Sequence, residues 1–464
     1  MSPAIPFAAG GRKTRRAALV PYANNARSHS KKQIRQIADS IKRFGFCNPV
    51  LISDNNTIIA GHGRVEAAKL IGLADVPVRK LSHLSENEVR AYILADNKFA
   101  ENAGWDRDLL AIEMQGLMAL DFDIEDLGFS TVEIDLTIGD AQTATPEAER
   151  GLDVIEPVVP GPAVTRSGDL WQLGPHRLLC GDARSGEDVS RLCGGTPASL
   201  LFTDPPYNVP IDGHVSGLGS VKHREFALAS GEMDEAGFTT FLTQSLGAAA
   251  SQLVDGAIAY VCMDWRHMRE VLDAGCSVFD ELKNLCVWNK TNGGMGSFYR
   301  SKHELVFVFK KGTVPHINTF GLGDTGRYRT NVWDYPGISS LGASRTDDLA
   351  MHPTVKPVAL IADAIRDCSR RGDVVLDVFG GSGSTLIAAD QCGRHARLIE
   401  IDALYCDTII RRFERVTGEQ AYLAATEMAF ADVRAQRERL PDAGSGSGNG
   451  TEDISQHYLV GGEA

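Results

Sequence analysis

Two hydrophobic patterns divide this chain. In its C-terminal two-thirds, short continuous apolar runs of strand length are each stopped by turn-forming residues. Ala198-Ser199-Leu200-Leu201-Phe202-Thr203 stops at Asp204-Pro205-Pro206-Tyr207, and Asp373-Val374-Val375-Leu376-Asp377-Val378 stops at Phe379-Gly380-Gly381-Ser382-Gly383. A third run, Ala396-Arg397-Leu398-Ile399, ends in Glu400. Runs without polar alternation predict buried strands of an α/β sheet. After the second run, Leu386-Ile387-Ala388-Ala389 predicts a helix, giving strand, glycine turn and helix in succession. Near the N-terminus the pattern changes. Residues 33–41 have helical spacing, residues 49–52 and 57–60 read as a hairpin across Asp54-Asn55-Asn56, and Gly61-His62-Gly63-Arg64 opens a helix.

The residue types at these stops suggest chemistry. Two successive prolines fix the backbone and remove two N–H groups, so neither helix nor ladder continues past Asp204. What remains is a rigid turn that suits a flat heterocycle bearing an amino group. Asp204 and the Pro205 carbonyl can accept the two amine hydrogens, and Tyr207 can stack on the ring. At the second stop the glycines permit close backbone approach and positive φ. Glu400, on the next strand, is the usual type of partner for ribose hydroxyls. Taken singly, each motif also reads as a plain turn or a helix-packing loop.

Together, these two motifs resemble the signature of the S-adenosylmethionine-dependent amino-group DNA methyltransferases, with the catalytic motif first as in the β subgroup. The similarity covers most of residues 168–420. It includes Leu179-Cys180-Gly181-Asp182, Val287-Trp288-Asn289-Lys290 and His303-Glu304. It also includes His352-Pro353-Thr354-Val355-Lys356-Pro357, where the family has glutamine in place of Val355. The resemblance implies an α/β, Rossmann-like methyltransferase with a mostly parallel sheet and S-adenosyl-L-methionine as cofactor. The implied reaction is methyl transfer to the exocyclic N6 amine of an adenine flipped out of double-stranded DNA. Asp at position 204 leans towards adenine, because cytosine-N4 relatives more often carry serine there; N4-cytosine methylation stays as the alternative. No cysteine lies in a Pro-Cys context, which argues against carbon-5 chemistry.

The resemblance also implies roles. Asp204, Pro205, Pro206 and Tyr207 would be catalytic. Asp377 would lie near the methionine amine, Phe379 against the adenine and Glu400 on the ribose. Gly380, Gly381 and Gly383 would let the backbone approach, Asp182 would meet the adenine amino group, and Thr354 and Lys356 would lie near the methionine carboxylate.

Residues 18–105 resemble a second family, the small α+β nuclease-like N-terminal domain of the ParB partition proteins. Their helix opens Gly-Glu-Arg-Arg where this chain has Gly61-His62-Gly63-Arg64, which keeps the Gly and an Arg and loses the acid. Backbone N–H groups, helix dipole and guanidinium favour a phosphate at Gly61, Gly63 and Arg64. DNA-backbone binding is expected there; nucleotide binding stays open, as does a non-enzymatic ParB-type DNA-binding regulator. The partition proteins' helix-turn-helix region is not evident, and residues 94–129 read as acidic amphipathic helices.

Charge sharpens the choice of partner. The 464-residue chain carries a net charge of −13. Residues 1–80 nevertheless hold 14 Lys or Arg against 4 acids, and residues 81–160 hold 18 acids against 4 basic residues. Residues 283–345 hold nine Lys or Arg against three acids, so they are expected to form the target-recognition region, with Lys290, Arg300 and Lys302 on DNA phosphates. The glycine-rich, polar stretch 208–235 suits a lid over an extruded base. The nine cysteines lack paired ligand spacing, so reduced thiols and no metal are expected. No apolar run reaches spanning length and no signal core is present, so a cytoplasmic, nucleoid-associated protein with no membrane partner is expected. Whether it forms a homodimer or has a restriction partner is not encoded. The expected domains are a basic arm (1–17), a ParB-like domain with helical extension (18–133), a linker (134–166), the methyltransferase (167–436) and a flexible tail (437–464).

Overall fold

The structure is a computed structural model that describes residues 12–120, 122–141, 151–159, 161–208, 231–291, 293, 298–320, 329–337 and 355–439. The chain forms two compact units, residues 1–144 and 145–464. Among the described residues no helix is long and apolar enough to cross a membrane.

The first unit builds a four-stranded sheet in the order β1-β4-β2-β3, from β1 (Arg12–Arg15), β2 (Val50–Ile52), β3 (Ile58–Ala60) and β4 (Asp75–Lys80). The expected hairpin is present: β2 and β3 pair antiparallel, and Asn56 at their turn has φ 64°. Helix α1 (Lys31–Phe44) starts where the Ser30 side chain accepts from the Gln33 N–H and stops at Gly45. Helix α2 (His62–Leu70) starts at Gly61, whose φ of 106° favours glycine. Ala38, Ile41, Val50, Ile52, Val65, Ala68, Val76 and Val78 form the core between them. Part of the basic arm expected over residues 1–17 is a strand. Arg12–Arg15 pairs antiparallel with β4 from Arg12↔Val78 to Arg15↔Asp75, because a basic segment can form an exposed edge strand as readily as a solvated tail.

Helices α3 (Glu86–Asn102), α4 (Arg107–Met118) and α5 (Thr131–Ala141) follow. A capping box between Ser85 and Glu88 starts α3. Met114, Ile124, Ile134 and Ile138 make a small separate core beneath α4 and α5. Helix α5 therefore runs through the first residues expected to be linker, since its apolar face has a partner to bury against.

Among the described residues, the second unit builds one eleven-stranded sheet. Its strands are β5 (Leu170–Leu173), β6 (His176–Cys180), β7 (Ala198–Thr203), β8 (Leu253–Met263), β9 (Glu281–Asn289), β10 (His303–Lys310), β11 (Val332–Asp334), β12 (Val374–Asp377), β13 (His395–Glu400), β14 (Ala421–Leu423) and β15 (Met428–Ala429). The order is β11-β9-β10-β8-β7-β12-β13-β6-β5-β14-β15. The central block β8-β7-β12-β13-β6 is parallel throughout, as the unbroken apolar runs require, and antiparallel strands flank it on both sides. Successive residues of β7 feed opposite cores. Leu200 and Phe202 face helices Val358–Cys368, Ser384–Gln391 and Ala403–Thr417, whereas Leu201 faces Gly186–Cys193, Glu235–Ala250 and Met268–Val278.

The rest of the expected linker is a strap fixed to this second unit. The Asp407 carboxylate, almost fully buried, accepts from the Val164 N–H (2.7 Å), the Thr165 N–H (2.9 Å) and the Thr165 hydroxyl (2.7 Å). Arg412 donates to the Leu152 carbonyl (2.8 Å), and Asp153 accepts from the Val358 N–H (2.8 Å). Helix Phe430–Arg439 also reaches past residue 436, where Arg437 pairs with Asp169 at 2.6 Å.

Candidate active site

Strands β7 and β12 are neighbours, paired through Val375↔Leu200 and Leu376↔Leu201, so the proline corner and the glycine turn leave the sheet side by side. The Thr203 hydroxyl donates to Asp377 Oδ1 at 3.0 Å and ties the two strand ends together. Both motifs line a single cavity of about 210 Å3 that also takes in Asp182, Phe379, Glu400 and Lys356.

On the glycine side, Glu400 is built to accept. Its two oxygens receive the Gly381 N–H (2.7 Å) and the Asp402 N–H (2.8 Å). Burial still pushes its carboxyl up to about 7, against those two bonds. Asp377 is buried too and accepts the Phe379 N–H at 3.0 Å; burial lifts it to about 7 despite its donors. A Cβ on Gly381 would meet nothing nearer than the Phe379 carbonyl oxygen at 3.9 Å, and its φ is 52°, so its backbone stands open to the cavity. Gly380 and Gly383 are bare for a different reason. A Cβ there would press on the Ile399 carbonyl at 3.2 Å or on Ile409 at 3.1 Å. Phe379 packs against Phe241 with centroids 5.8 Å apart. Asp182 lines the cavity but is engaged by Arg184 at 2.7 Å; burial raises its carboxyl, and the guanidinium outweighs that, holding it below the usual range.

On the proline side, the structure adds Glu304, to which the sequence had given no role, and gives Lys356 and Lys290 new partners. The Lys356 ammonium is buried and donates to Asp204 Oδ2 (2.6 Å) and to the Tyr207 hydroxyl (2.9 Å), and pairs with Glu304 Oε2 (2.8 Å). The Tyr207 hydroxyl lies 2.9 Å from Asp204 Oδ1 and 3.0 Å from Glu304 Oε2. Lys290 closes the cluster on the other Glu304 oxygen. Two carboxylates and two ammonium groups thus form a formally neutral network. Burial pushes the Asp204 carboxyl up, with Glu304 adding to it and Lys356 opposing. Burial acts the same way on Glu304, but Lys356 and Lys290 outweigh it and bring it down to about 2.

Two expected placements change as a result. Lys356, expected beside the methionine carboxylate, has its ammonium engaged by three partners at the catalytic corner. Lys290, expected on a DNA phosphate, is committed to Glu304 and lies 4.5 Å from the centre of the Trp288 ring. The basic region 283–345 is likewise partly internal. Arg329 pairs with Asp367 at 2.9 Å, and Lys311 donates to the Leu253 carbonyl at 2.7 Å. A count of charges cannot tell a solvated cation from one spent inside the fold. Arg300 and Lys302 remain exposed. Thr354 and most of the expected lid, residues 209–230, lie outside the described residues, as do Arg327 and Arg345.

In the first unit, the Arg64 guanidinium folds back over Gly61, where a Cβ would stand 3.0 Å from Nη2. A Cβ on Gly63 would meet the His29 ring at 3.1 Å. Burial lowers the Arg64 pKa, with Asp96 opposing, and its Nε is buried without a hydrogen-bond partner.

Residues 198–411, which carry both corners of the cavity, match the DNA methylase family of N6/N4 type. These residues form the chain's DNA methylase domain. Residues 17–98 match the ParB N-terminal domain and residues 108–167 match the ParB-methyltransferase helix-turn-helix domain. The last match corrects the reading of this stretch as lacking a helix-turn-helix region. The stretch is acidic, and residues 94–129 had read only as acidic amphipathic helices. The ParB-like nuclease domain-containing protein YnaK of Escherichia coli (strain K12) is 53% identical over 70 residues, 15% of this chain and 80% of YnaK. The type II methyltransferase M2.MboI of Moraxella bovis is 24% identical over 231 residues, covering 47% of this chain and 81% of the relative. The DNA adenine methyltransferase YhdJ of Escherichia coli (strain K12) is 27% identical over 243 residues, covering 46% and 76%.

Proposed function

We propose that this DNA methyltransferase is site-specific and acts on the exocyclic N6 amine of adenine in a base turned out of double-stranded DNA. The observation that carries the reading is the shared cavity. An amine-accepting acidic corner and a glycine turn backed by two buried acids end neighbouring strands and face one space. The adenine assignment is supported by Asp at position 204 and by the likeness to an adenine methyltransferase.

The cofactor, S-adenosyl-L-methionine, supplies when bound an electrophilic methyl group on a sulfonium. Asp377 would hold its amine, Glu400 its ribose, and the open Gly381 backbone would let it lie close. An adenine amine is a poor nucleophile because its lone pair is delocalised into the ring. Asp204 and the Pro205 carbonyl accept its two hydrogens, which returns density to nitrogen and aims it into the cavity. Tyr207 presents its ring to the base, while Lys356 and Glu304 hold its hydroxyl and Asp204 in place. Extrusion costs a few kcal/mol, and stacking on an aromatic ring returns roughly 1–3 kcal/mol. Phosphate contacts from Arg300 and Lys302 would shift this balance towards the extruded state. The ParB-like unit, through Arg64 and the Gly61 turn, would engage the DNA backbone.

Methyl transfer from labelled cofactor to unmethylated DNA tests this function, followed by methylation-sensitive sequencing to give the base and its context. N6-methyladenine in one sequence context is the expected product. N4-methylcytosine would overturn the adenine assignment, and full activity of Asp204→Ala would overturn the catalytic one.

A further inference from the structure

Hairpin β9–β10 carries two side chains that the chemistry above leaves unused. The registers Asn289↔His303 and Leu305↔Met263 place the β9–β10 turn at the edge where β8 ends. Strand β7 runs parallel to β8 with Thr203↔Val261, so Asp204 leaves the sheet at that same edge. At the base of the hairpin, Lys290 and Glu304 join the network that holds Asp204. Beyond them stand Phe298 and Tyr299, 87% and 81% exposed, their rings edge to face with centroids 4.6 Å apart. The next most exposed aromatics among the described residues, Phe99 and Trp105, stand at 71%. Arg300 and Lys302 follow directly and are exposed.

A pair of adjacent aromatics held in water beside cations, at the mouth of a site that takes a base, points to an occupant with flat rings and phosphates. We propose that Phe298 and Tyr299 form a wedge that enters the duplex beside the target and fills the space the extruded base vacates, with Arg300 and Lys302 on the flanking phosphates. The inference rests on the methyltransferase reading and adds to it the device that opens the duplex. Insertion of apolar side chains between base steps is an established way to unstack DNA. Base–aromatic stacking tolerates any sequence, so the wedge contributes to extrusion and little to site choice. Because both rings are exposed, removing them leaves the fold intact.

The test compares Phe298→Ala/Tyr299→Ala with the unaltered protein on two unmethylated duplexes carrying the target site. One is fully paired; in the other the target adenine faces an abasic position and is already unpaired. On the paired duplex, kcat/KM is expected to fall at least about tenfold, since a base–aromatic stack contributes roughly 5- to 150-fold. On the abasic duplex the two proteins should differ by less than about threefold. With 2-aminopurine at the target position, the unaltered protein should raise fluorescence on binding and the double variant should not. Cofactor affinity and thermal midpoint should be unchanged. Equal rates on the paired duplex, or equal losses on both duplexes, overturn the wedge. Unchanged rates with altered self-association would assign the pair to protein–protein contact and also overturn it. Absence of transfer and of fluorescence rise by the unaltered protein overturns the methyltransferase reading itself.

Discussion

Two glycine turns in this molecule begin alike and end differently. Each follows a short buried strand, each carries a glycine at positive φ, and each starts a helix: Gly61 before His62–Leu70 and Gly383 before Ser384–Gln391. At Gly381 the backbone is bare to a cavity, and its N–H is already held by a buried acid. At Gly61 the molecule covers its own turn, because the Arg64 guanidinium occupies the space beside the glycine. A glycine-rich turn thus shows only that something lies close to the backbone. Whether that something is a ligand or the protein's own side chain depends on what stands beside the glycine: the Arg64 guanidinium at Gly61, Ile409 at Gly383 and open cavity at Gly381. The phosphate role proposed for Arg64 requires its guanidinium to move off Gly61.

The largest expected effect would sharpen this comparison at the catalytic mouth of the open turn. Asp204→Ala should lower kcat about a hundredfold to a thousandfold, while calorimetry shows cofactor binding close to that of the unaltered protein. Lys356→Met leaves two carboxylates facing each other and should cost about 3–5 kcal/mol of stability, read by urea unfolding of the full chain. Gly381→Ala comes next. The new methyl group occupies the open space, so cofactor affinity should drop about tenfold while stability falls by about 1 kcal/mol, mainly from the strain of a positive φ. A loss of stability without loss of affinity would make this turn a mere packing loop, like its counterpart.

Acidity gives a comparably sized effect. Asp377 and Glu400 are both pushed up to about 7 by burial, so below that pH they are largely neutral. The carboxylate forms are the ones that hold an amine and accept from ribose hydroxyls. Cofactor affinity should therefore rise with pH, roughly tenfold from pH 6 to 8 if one group dominates, and level off above. The sign for folding is opposite: burial favours the protonated acids, so their contribution to stability declines as pH rises from about 4 towards 7. A flat affinity profile between pH 6 and 8 would contradict the roles given to both acids. The smallest effect is expected at the closed turn. Arg64→Ala should weaken DNA binding severalfold in titrations at physiological salt, with turnover on a short saturating duplex nearly intact. A large loss of turnover under saturation would contradict an accessory role for that unit.

What the sequence disclosed depends on how far each feature reaches along the chain. The corners at Asp204 and Gly380 are local: an apolar run meeting proline or glycine marks a strand end whatever else the protein does. Strands β7, β12 and β13 follow from such runs. The network behind Asp204 is not local. Lys356 and Asp204 are 152 positions apart, and Glu304 and Tyr207 are 97 apart, so no spacing rule links them. Charge counting misled for a related reason: Arg329 and Lys311 look like DNA-facing cations until their partners are known. The edge strand Arg12–Arg15 escaped because three of its four residues are basic and none is apolar, so no alternation marks a face.

The Asp407 strap decides where this chain can be cut. A fragment starting at residue 167 would strip that buried carboxylate of three donors, leaving it only the longer pair with Arg411 at 3.6 Å, and would remove the Leu152 carbonyl from Arg412, which would keep only its bonds to Ser382 and Ser384. Separating the halves between residues 142 and 150 keeps every one of these bonds, so a catalytic fragment meant to fold should begin there.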